Sequence, residues 1–301
     1  MNQSLRIGTR QSPLALQQAN AIQTRLNTLF PELKTEIIPI TTAGDRNQTQ
    51  PLHELGGKGV FIKAIEEELL NGTIDCAVHC LKDVTTTLDE QSELIAFCPA
   101  EAVTDCIIMT NGQSYSSLAD LPTGITLATS SLRRQILLKE YRPDITIKPI
   151  RGNIDTRIQK CQNGYADALM LATAGLIRLQ RENEISLICD PNQIIPAPGQ
   201  GVVVIQKKRS DSHLNPFLEI LNDKLQQELA LYEQAVIESI GLSCDYPLGV
   251  YATKQANRVS LTACWSDKAC KTFNKHVIHG NTPIIKEKIR DLSHQIKASI
   301  T

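Results

Sequence analysis

The chain has 301 residues, enough for roughly two or three domains with a substantial buried core. Hydrophobic residues make up 42% and charged residues 21%, and the formal net charge is -1, so no overall field favours binding to nucleic acid or to an anionic membrane. No apolar run approaches the ~20 residues of a membrane span and the N-terminus lacks an apolar signal region, so we expect a cytoplasmic protein.

The sequence contains nine scattered cysteines. An odd, dispersed set in a cytosolic chain argues against a disulfide framework. No two of them form a Cys-x2-Cys pair, so we expect no metal site. Most are expected to be small buried hydrophobic residues, and Cys244 is the exception.

The opening stretch predicts a βαβ unit. Leu5 to Thr9 is typical of a strand, Ser12 caps a helix that has proline at its first position, and Thr35 to Ile40 predicts the next strand. Arg10 and Ser12 therefore lie at the carboxyl end of the first strand, which is where open α/β sheets bind ligands.

The stretch from Thr41 to Gly59 is polar, contains glycines and has no periodicity. A loop of this length in a compact lobe is typical of a lid or of disorder, and we predict a lid over residues 43–59. The Gly56-Gly57-Lys58-Gly59 turn in it could cradle an anion, although a short glycine cluster is a weak signal.

A polar turn that contains His79, Lys82 and Asp83 follows the predicted strand Ile74 to Val78. We interpret His79 as a neutral imidazole packed at the strand end. Asp83, at the same sheet edge as several arginines, would stay ionised. It either forms a salt bridge with a neighbouring arginine or stabilises a cationic intermediate and moves a proton.

Residues 125–157 predict a strand, a helix, a strand and a second helix. The first helix is capped by Ser130 or Ser131, which places free backbone N–H groups beside Arg133 and Arg134. Arg151 opens the turn after the next strand, and Arg157 lies one helical turn beyond Asn153. Arginine forks bind carboxylates bidentately, so we predict a site for a ligand with several carboxylates; the alternative is a solvated basic helix face.

The sequence repeats this pattern. LRIGTRQSPL resembles ITLATSSLRR, and Asn71-Gly72 and Asn163-Gly164 each precede a strand. We predict an α/β fold with two similar lobes around a cleft, like those of bilobal binding proteins, plus a smaller C-terminal α+β domain. The predicted ranges are 1–98 for lobe 1, 99–199 for lobe 2, 200–216 for a strand returning to lobe 1, and 217–301 for the C-terminal domain.

Cys244 lies in a C-terminal loop with Gly241 and Gly249 on either side. Its thiolate would be stabilised if the loop faced an arginine cluster. It is either a nucleophile or covalent attachment point, or an inert loop cysteine.

The chain resembles the hydroxymethylbilane synthase (porphobilinogen deaminase) family over nearly its whole length. The resemblance rests on ordered motifs: Thr9-Arg10-Gln11-Ser12-Pro13-Leu14-Ala15-Leu16, Gly56-Gly57-Lys58-Gly59 with Phe61, His79 with Lys82-Asp83-Val84, Thr129-Ser130-Ser131-Leu132-Arg133-Arg134-Gln135, Arg151-Gly152-Asn153 with Thr156-Arg157, Gly199-Gln200-Gly201, and Cys244 with Pro247. The chain departs from the family in the segment Ala100 to Cys106, where two arginines are missing.

The resemblance implies a transferase that joins four porphobilinogens head to tail, with loss of ammonia, onto a dipyrromethane cofactor, and then releases the tetrapyrrole by hydrolysis. Cys244 matches the cysteine that holds this cofactor by a thioether, Asp83 matches the catalytic aspartate, and Lys58 lies in the lid motif. The remaining implied cofactor contacts are Lys82, Asp83, Thr129, Ser131, Arg133, Arg134, Arg151, Gly152 and Arg157. The implied substrate contacts are Arg10, Ser12, Arg151 and Arg157.

Two other functions remain open at this stage. A non-catalytic bilobal binding protein for a small polycarboxylate would have the same lobes, but the absent export signal and the C-terminal domain with Cys244 favour the enzyme. A thiol hydrolase that uses Cys244 has no local Cys–His motif to support it. We expect porphobilinogen as substrate, no nucleic-acid or membrane partner, no metal, and a monomer.

Overall fold

The computed structural model describes residues 4–42, 59–241, 246–267 and 269–300. The chain divides into two compact units, each built from two stretches. The first unit comprises Met1–Ala100 and Val202–Gln227, and the second comprises Glu101–Gly201 and Glu228–Thr301. The chain thus leaves the first unit after Ala100 and returns to it at Val202.

Within the described residues the strands are, in chain order, β1 (Ser4–Arg10), β2 (Lys34–Ile40), β3 (Cys76–Cys80), β4 (Ser92–Phe97), β5 (Asp105–Met109), β6 (Thr126–Ala128), β7 (Thr146–Lys148), β8 (Ala168–Ala172), β9 (Leu187–Ile188), β10 (Val203–Lys208), β11 (Leu248–Gln255), β12 (Arg258–Trp265) and β13 (Asn274–Gly280). The α-helices there are α1 (Pro13–Leu29), α2 (Gly59–Leu70), α3 (Leu132–Tyr141), α4 (Ile154–Gln162), α5 (Thr173–Arg178), α6 (Asn215–Leu218), α7 (Lys224–Ile240) and α8 (Thr282–Ile300). None of the described helices is long and apolar enough to cross a membrane.

The first unit contains a five-stranded sheet in the order β2-β1-β3-β10-β4. Strands β1, β2 and β3 are parallel, and β10 runs antiparallel between β3 and β4. Helix α1 begins at Pro13 because the Ser12 side chain accepts a hydrogen bond from the Ala15 N–H. The helix buries Ala19, Ile22 and Leu26, whose spacing of three and four residues places them on one face.

The sheet of the second unit has the order β7-β6-β8-β5-β9. Strands β6, β7 and β8 are parallel, and β5 runs antiparallel between β8 and β9. Replacing β2, β1, β3, β10 and β4 by β7, β6, β8, β5 and β9 reproduces the first sheet strand by strand. The predicted pair of similar α/β lobes is therefore confirmed by topology.

The two units also share a local hydrogen-bond arrangement that follows the repeated Asn-Gly pairs. In the first unit the Asp75 carboxylate accepts from the Arg6 N–H at 2.7 Å, and the Asp75 N–H donates to the Arg6 carbonyl at 2.9 Å. In the second unit Asp167 makes the same two bonds with Thr126, at 2.8 and 2.9 Å. Each aspartate therefore fastens the start of its strand to the parallel neighbour.

The C-terminal part of the second unit is a three-stranded antiparallel sheet in the order β11-β12-β13. Helix α8 packs its buried residues Ile285, Ile289, Leu292 and Ile296 onto the apolar core of this sheet, as their helical spacing dictates. The predicted strand Arg258 to Trp265 is confirmed, and the predicted α+β character is confirmed with it.

Candidate active site

The Leu81–Asp83 turn positions the predicted catalytic residue of the first unit. This turn follows β3, and the Leu81 N–H donates to the Val202 carbonyl at 3.0 Å while the Val84 N–H closes the turn onto Leu81 at 3.0 Å. Lys82 and Asp83 are both half-buried. The backbone of the turn is thus fixed, with the carboxylate of Asp83 at the end of a buried strand.

Arg10 and Ser12 lie at the same edge of the first sheet. Strands β1 and β3 are adjacent and parallel, so the end of β1, at Arg10, and the turn with Lys82 and Asp83 share one sheet edge. Four of the predicted site residues are therefore brought to one edge of this unit.

The predicted residues of the second unit occupy the corresponding edge. Thr129 and Ser131 follow β6, and Ser131 caps α3 by accepting from the Arg134 N–H, as predicted. The Ser130 hydroxyl joins this turn to the neighbouring one, because it donates to the Ile150 carbonyl at 2.8 Å and accepts from the Ile150 N–H at 2.9 Å. The turns after β6 and β7 are thus tied together.

Arg151, Gly152 and Arg157 form the second of these turns. The Arg157 Nε donates to the Gly152 carbonyl at 2.7 Å. Gly152 has a φ of 116°, and a Cβ there would lie 2.9 Å from the Thr156 side chain, so a side chain at this position is excluded on both counts. Arg151 is half-buried, yet its Nη1 atom is enclosed and has no hydrogen-bond partner within the described residues.

Arg133 and Arg134 are buried, at 4% and 7% exposure, and both bind Asp105, which is fully buried. Arg133 Nη1 donates to Asp105 at 2.6 Å, and Arg134 donates through Nη2 at 2.7 Å and Nε at 3.1 Å. The two guanidinium groups hold the pKa of Asp105 well below its usual range despite its burial. Neither arginine lies on a solvated basic helix face, so that alternative is wrong for this pair.

The backbone and Gln200 complete the surroundings of this buried cluster. Arg133 Nη1 also donates to the Ile195 carbonyl at 2.7 Å, and Arg134 Nη1 donates to the Met170 carbonyl at 2.9 Å. Gln200 Nε2 donates to Asp105 at 3.2 Å. All three nitrogens of the Arg134 guanidinium thus bind protein atoms in this structure, and cofactor contacts by Arg133 and Arg134 stay a prediction.

Sequence reasoning missed Asp105 and Glu233. Glu233, on α7, is buried and accepts from the Gly199 N–H at 2.7 Å and from the Ala252 N–H at 2.9 Å. Burial raises the pKa of Glu233 to about 7, and the two backbone donors oppose that shift. An acidic residue within an otherwise apolar helix face was the available signal.

The cysteines match their predicted character where the structure describes them. Eight are free, of which six are buried, and Cys80 and Cys270 are half-buried. The described residues contain no group of His, Cys, Asp and Glu side chains suited to a metal ion. Cys244, Lys58 and the predicted lid up to residue 58 lie outside the described residues, so the structure does not test these predictions.

Arginines at the strand ends of two α/β lobes with the same topology, together with an enclosed guanidinium nitrogen that has no hydrogen-bond partner within the described residues, are features suited to a carboxylate-bearing ligand. Residues 5–216 match the family model described as porphobilinogen deaminase, dipyromethane cofactor binding domain. The chain is 41% identical over 253 residues to a porphobilinogen deaminase of Limosilactobacillus reuteri (strain DSM 20016), which covers 84% of this chain and 82% of that protein. A porphobilinogen deaminase of Nitrobacter winogradskyi is 41% identical over 256 residues, which cover 84% of this chain and 80% of that protein. The chain belongs to the porphobilinogen deaminase family and is a transferase.

Solved structures of binding proteins show a more distant similarity. The methionine-binding protein MetQ aligns with a TM-score of 0.45 and 12% identity, over 77% of this chain and 93% of that one. The probable amino-acid ABC transporter extracellular-binding protein ytmK of Bacillus subtilis aligns with a TM-score of 0.43 and 11% identity, over 78% of this chain and 97% of that one. Similarity at this level carries no argument about function.

Proposed function

We propose that this chain is a hydroxymethylbilane synthase. It condenses four molecules of porphobilinogen head to tail with loss of ammonia, and it releases the linear tetrapyrrole by hydrolysis. A dipyrromethane joined to Cys244 by a thioether supplies the pyrrole end to which substrate is added. Membership of the porphobilinogen deaminase family supports this assignment.

The enclosed Nη1 atom of Arg151 is the observation that carries the proposal. A buried charged donor without an acceptor costs free energy, and native proteins rarely contain a buried donor that makes no hydrogen bond. A carboxylate from the cofactor or the substrate would satisfy it. Arg157 lies in the same turn, where its Nε donates to the Gly152 carbonyl.

The role of Asp83 follows from its match to the family's catalytic aspartate and from its place in the turn after β3. A carboxylate at a strand end accepts hydrogen bonds from pyrrole N–H groups and stabilises the positive charge that develops when ammonia leaves. Lys82 and Arg10 at the same sheet edge supply positive charge for the substrate's carboxylates, and Ser12, Thr129 and Ser131 supply hydroxyl contacts. Because each pyrrole adds two carboxylates, the growing product needs several arginine forks rather than one.

The attachment residue is tested by mass. The full-length protein, expressed with porphobilinogen available, should be heavier than its sequence mass by two linked pyrrole units. The excess should map to the peptide that contains Cys244. A thioether survives reducing agents, which separates it from a disulfide adduct. Cys244→Ser should lack both the added mass and tetrapyrrole formation.

Cys270→Ser is the matched control, because Cys270 is a half-buried cysteine of the same unit. This control should keep the added mass and the activity. If the wild-type protein carries no added mass and forms no tetrapyrrole, the non-catalytic polycarboxylate-binding protein becomes the better assignment.

A further inference from the structure

A buried hydrogen-bond network lies within the first unit and is not part of the predicted site. Gln206, on β10 and fully buried, is its centre. The Gln206 Nε2 donates to Glu66 Oε1 at 2.6 Å and to the Ser92 hydroxyl at 2.8 Å, and its Oε1 lies 2.9 Å from His79 Nε2. Glu66 Oε1 also accepts from Ser92 at 3.0 Å and from the Asp89 N–H at 3.1 Å. We call these residues the Glu66 network.

The Glu66 carboxylate determines the direction of the hydrogen bonds that Gln206 makes with Glu66 and His79. A carboxylate only accepts, so the Gln206 amide nitrogen must face Glu66 and its oxygen must face His79. His79 must then carry its proton on Nε2 and donate it to Gln206. Burial lowers the pKa of His79 to about 4, which keeps the imidazole neutral near pH 7, as its sequence context predicted.

The Glu66 network holds the chain on both sides of Asp83. His79 lies on β3, two residues before the Leu81–Asp83 turn begins, and Asp89 lies in the segment that follows the turn. The start of the turn is therefore fixed twice, through the carbonyl of Val202, the residue before β10, to Leu81 and through Gln206 on β10 to His79. Glu66 fixes the segment after it.

We propose that Glu66, Gln206 and His79 are positioning residues that set the location of the Asp83 carboxylate. This inference rests on the proposed function, in which Asp83 acts on the reacting pyrrole. A displacement of about 1 Å at a reacting group lowers a rate by roughly 100-fold. The bound substrate is held chiefly by arginines outside the network, so loss of the network lowers kcat far more than it changes KM.

Three variants test whether the network acts by positioning Asp83 or through the negative charge of Glu66. Glu66→Leu removes the acceptor for Gln206, Ser92 and Asp89, and should lower kcat by roughly 10- to 100-fold. Glu66→Gln keeps an oxygen at the Oε1 position, where all these bonds converge, and should retain kcat within about threefold. Gln206→Met has nearly the same volume and breaks both the His79 and the Glu66 contacts, so it should reproduce the Glu66→Leu defect even if Glu66→Leu does not fold.

Glu93→Leu is the matched control. Glu93 is the neighbour of Ser92 on β4, and its carboxylate pairs with Lys207 at 2.9 Å and Arg209 at 2.9 Å; among the described residues neither ion pair includes a member of the Glu66 network. Its loss destabilises the same strand pair, so Glu93→Leu should lower stability while leaving kcat within about twofold. The cofactor mass of every variant is measured first, so that assembly is separated from turnover.

The decisive measurement is the kcat of double variants that combine a network substitution with Asp83→Asn. If the network acts through Asp83, adding Gln206→Met or Glu66→Leu to Asp83→Asn lowers kcat no further, because the carboxylate it positions is gone. Fully additive losses, or a normal kcat in both network variants, overturn the inference. An inactive wild-type protein, or an Asp83→Asn variant with normal turnover, instead overturns the proposed function.

Discussion

Asp105→Asn is expected to be severely destabilising. The carboxylate is fully buried and receives one hydrogen bond from Arg133, two from Arg134 and one from Gln200. Asparagine keeps the shape but removes the charge, which leaves two buried guanidinium groups without a counter-ion. Breaking a buried pair in this way costs about 3–5 kcal/mol, a large part of the ~5–15 kcal/mol that stabilises a typical domain.

The loss is measured by urea unfolding followed through the fluorescence of Trp265. This is the only tryptophan in the sequence, and it lies buried in the same unit as Asp105. With a urea dependence of roughly 1–3 kcal/mol per molar, the unfolding midpoint should fall by more than about 1 M.

Asp155→Asn provides the matched control. Asp155 also pairs with an arginine of the second unit, Arg181, but its side chain is 55% exposed. An exposed pair contributes less than about 1 kcal/mol, so this variant should unfold close to wild type. If Asp105→Asn shifts the midpoint no more than Asp155→Asn does, the buried cluster does not stabilise the unit as argued.

Three further outcomes are expected. Asp83→Asn should lower turnover at least ~100-fold with little change in substrate binding, as steady-state kinetics would show; near-normal turnover would remove Asp83 from the mechanism. Arg151→Leu or Arg157→Leu should each remove about 1.5–3 kcal/mol of charge-assisted binding and stall elongation, so mass spectra of samples quenched with excess substrate should show fewer attached pyrroles; a wild-type distribution in both would contradict the assignment. Because the pKa of Glu233 is raised from 4.5 to about 7 in the folded protein, the folded state binds its proton more tightly than the unfolded state, so stability falls as pH rises from about 4.5 to about 7. Glu233→Gln should remove that part of the pH dependence, so the difference in urea midpoint between the variant and the wild-type protein should change between pH 4.5 and pH 7. A difference that stays constant over this range would mean that Glu233 stays ionised throughout.

Local spacing was sufficient to predict much of the fold. The Ser12 cap with Pro13, the Ser131 cap and the turn at Asp83 are short-range patterns, and the structure has the first two as predicted and the third as a 3-10 turn after β3. The repeated Asn-Gly pairs indicated two similar lobes because each pair precedes an equivalent strand, and the topology agrees. Periodicity is local, so it reports such features directly.

The buried polar clusters could not be predicted in the same way. Asp105 is 28 residues from Arg133 and 95 from Gln200, and Gln206 is 140 residues from Glu66. No periodicity links residues so far apart, and an arginine at a helix start has the same local pattern whether it faces a ligand or a buried aspartate. This is why Arg133 and Arg134 were predicted as ligand forks without their partner.

The position of β10 has a consequence for how the protein is made. Strand β10 lies between β3 and β4 in the first sheet, but it is encoded after every strand of the second sheet. During synthesis the first hundred residues leave the ribosome with β4 lacking the neighbour that joins it to the sheet, whereas β5 to β9 are all available before β10 emerges. The sheet of the first unit is therefore completed only after all strands of the second unit's five-stranded sheet have been synthesised. A nascent chain arrested before Val203 exposes the unpaired edges of β3 and β4.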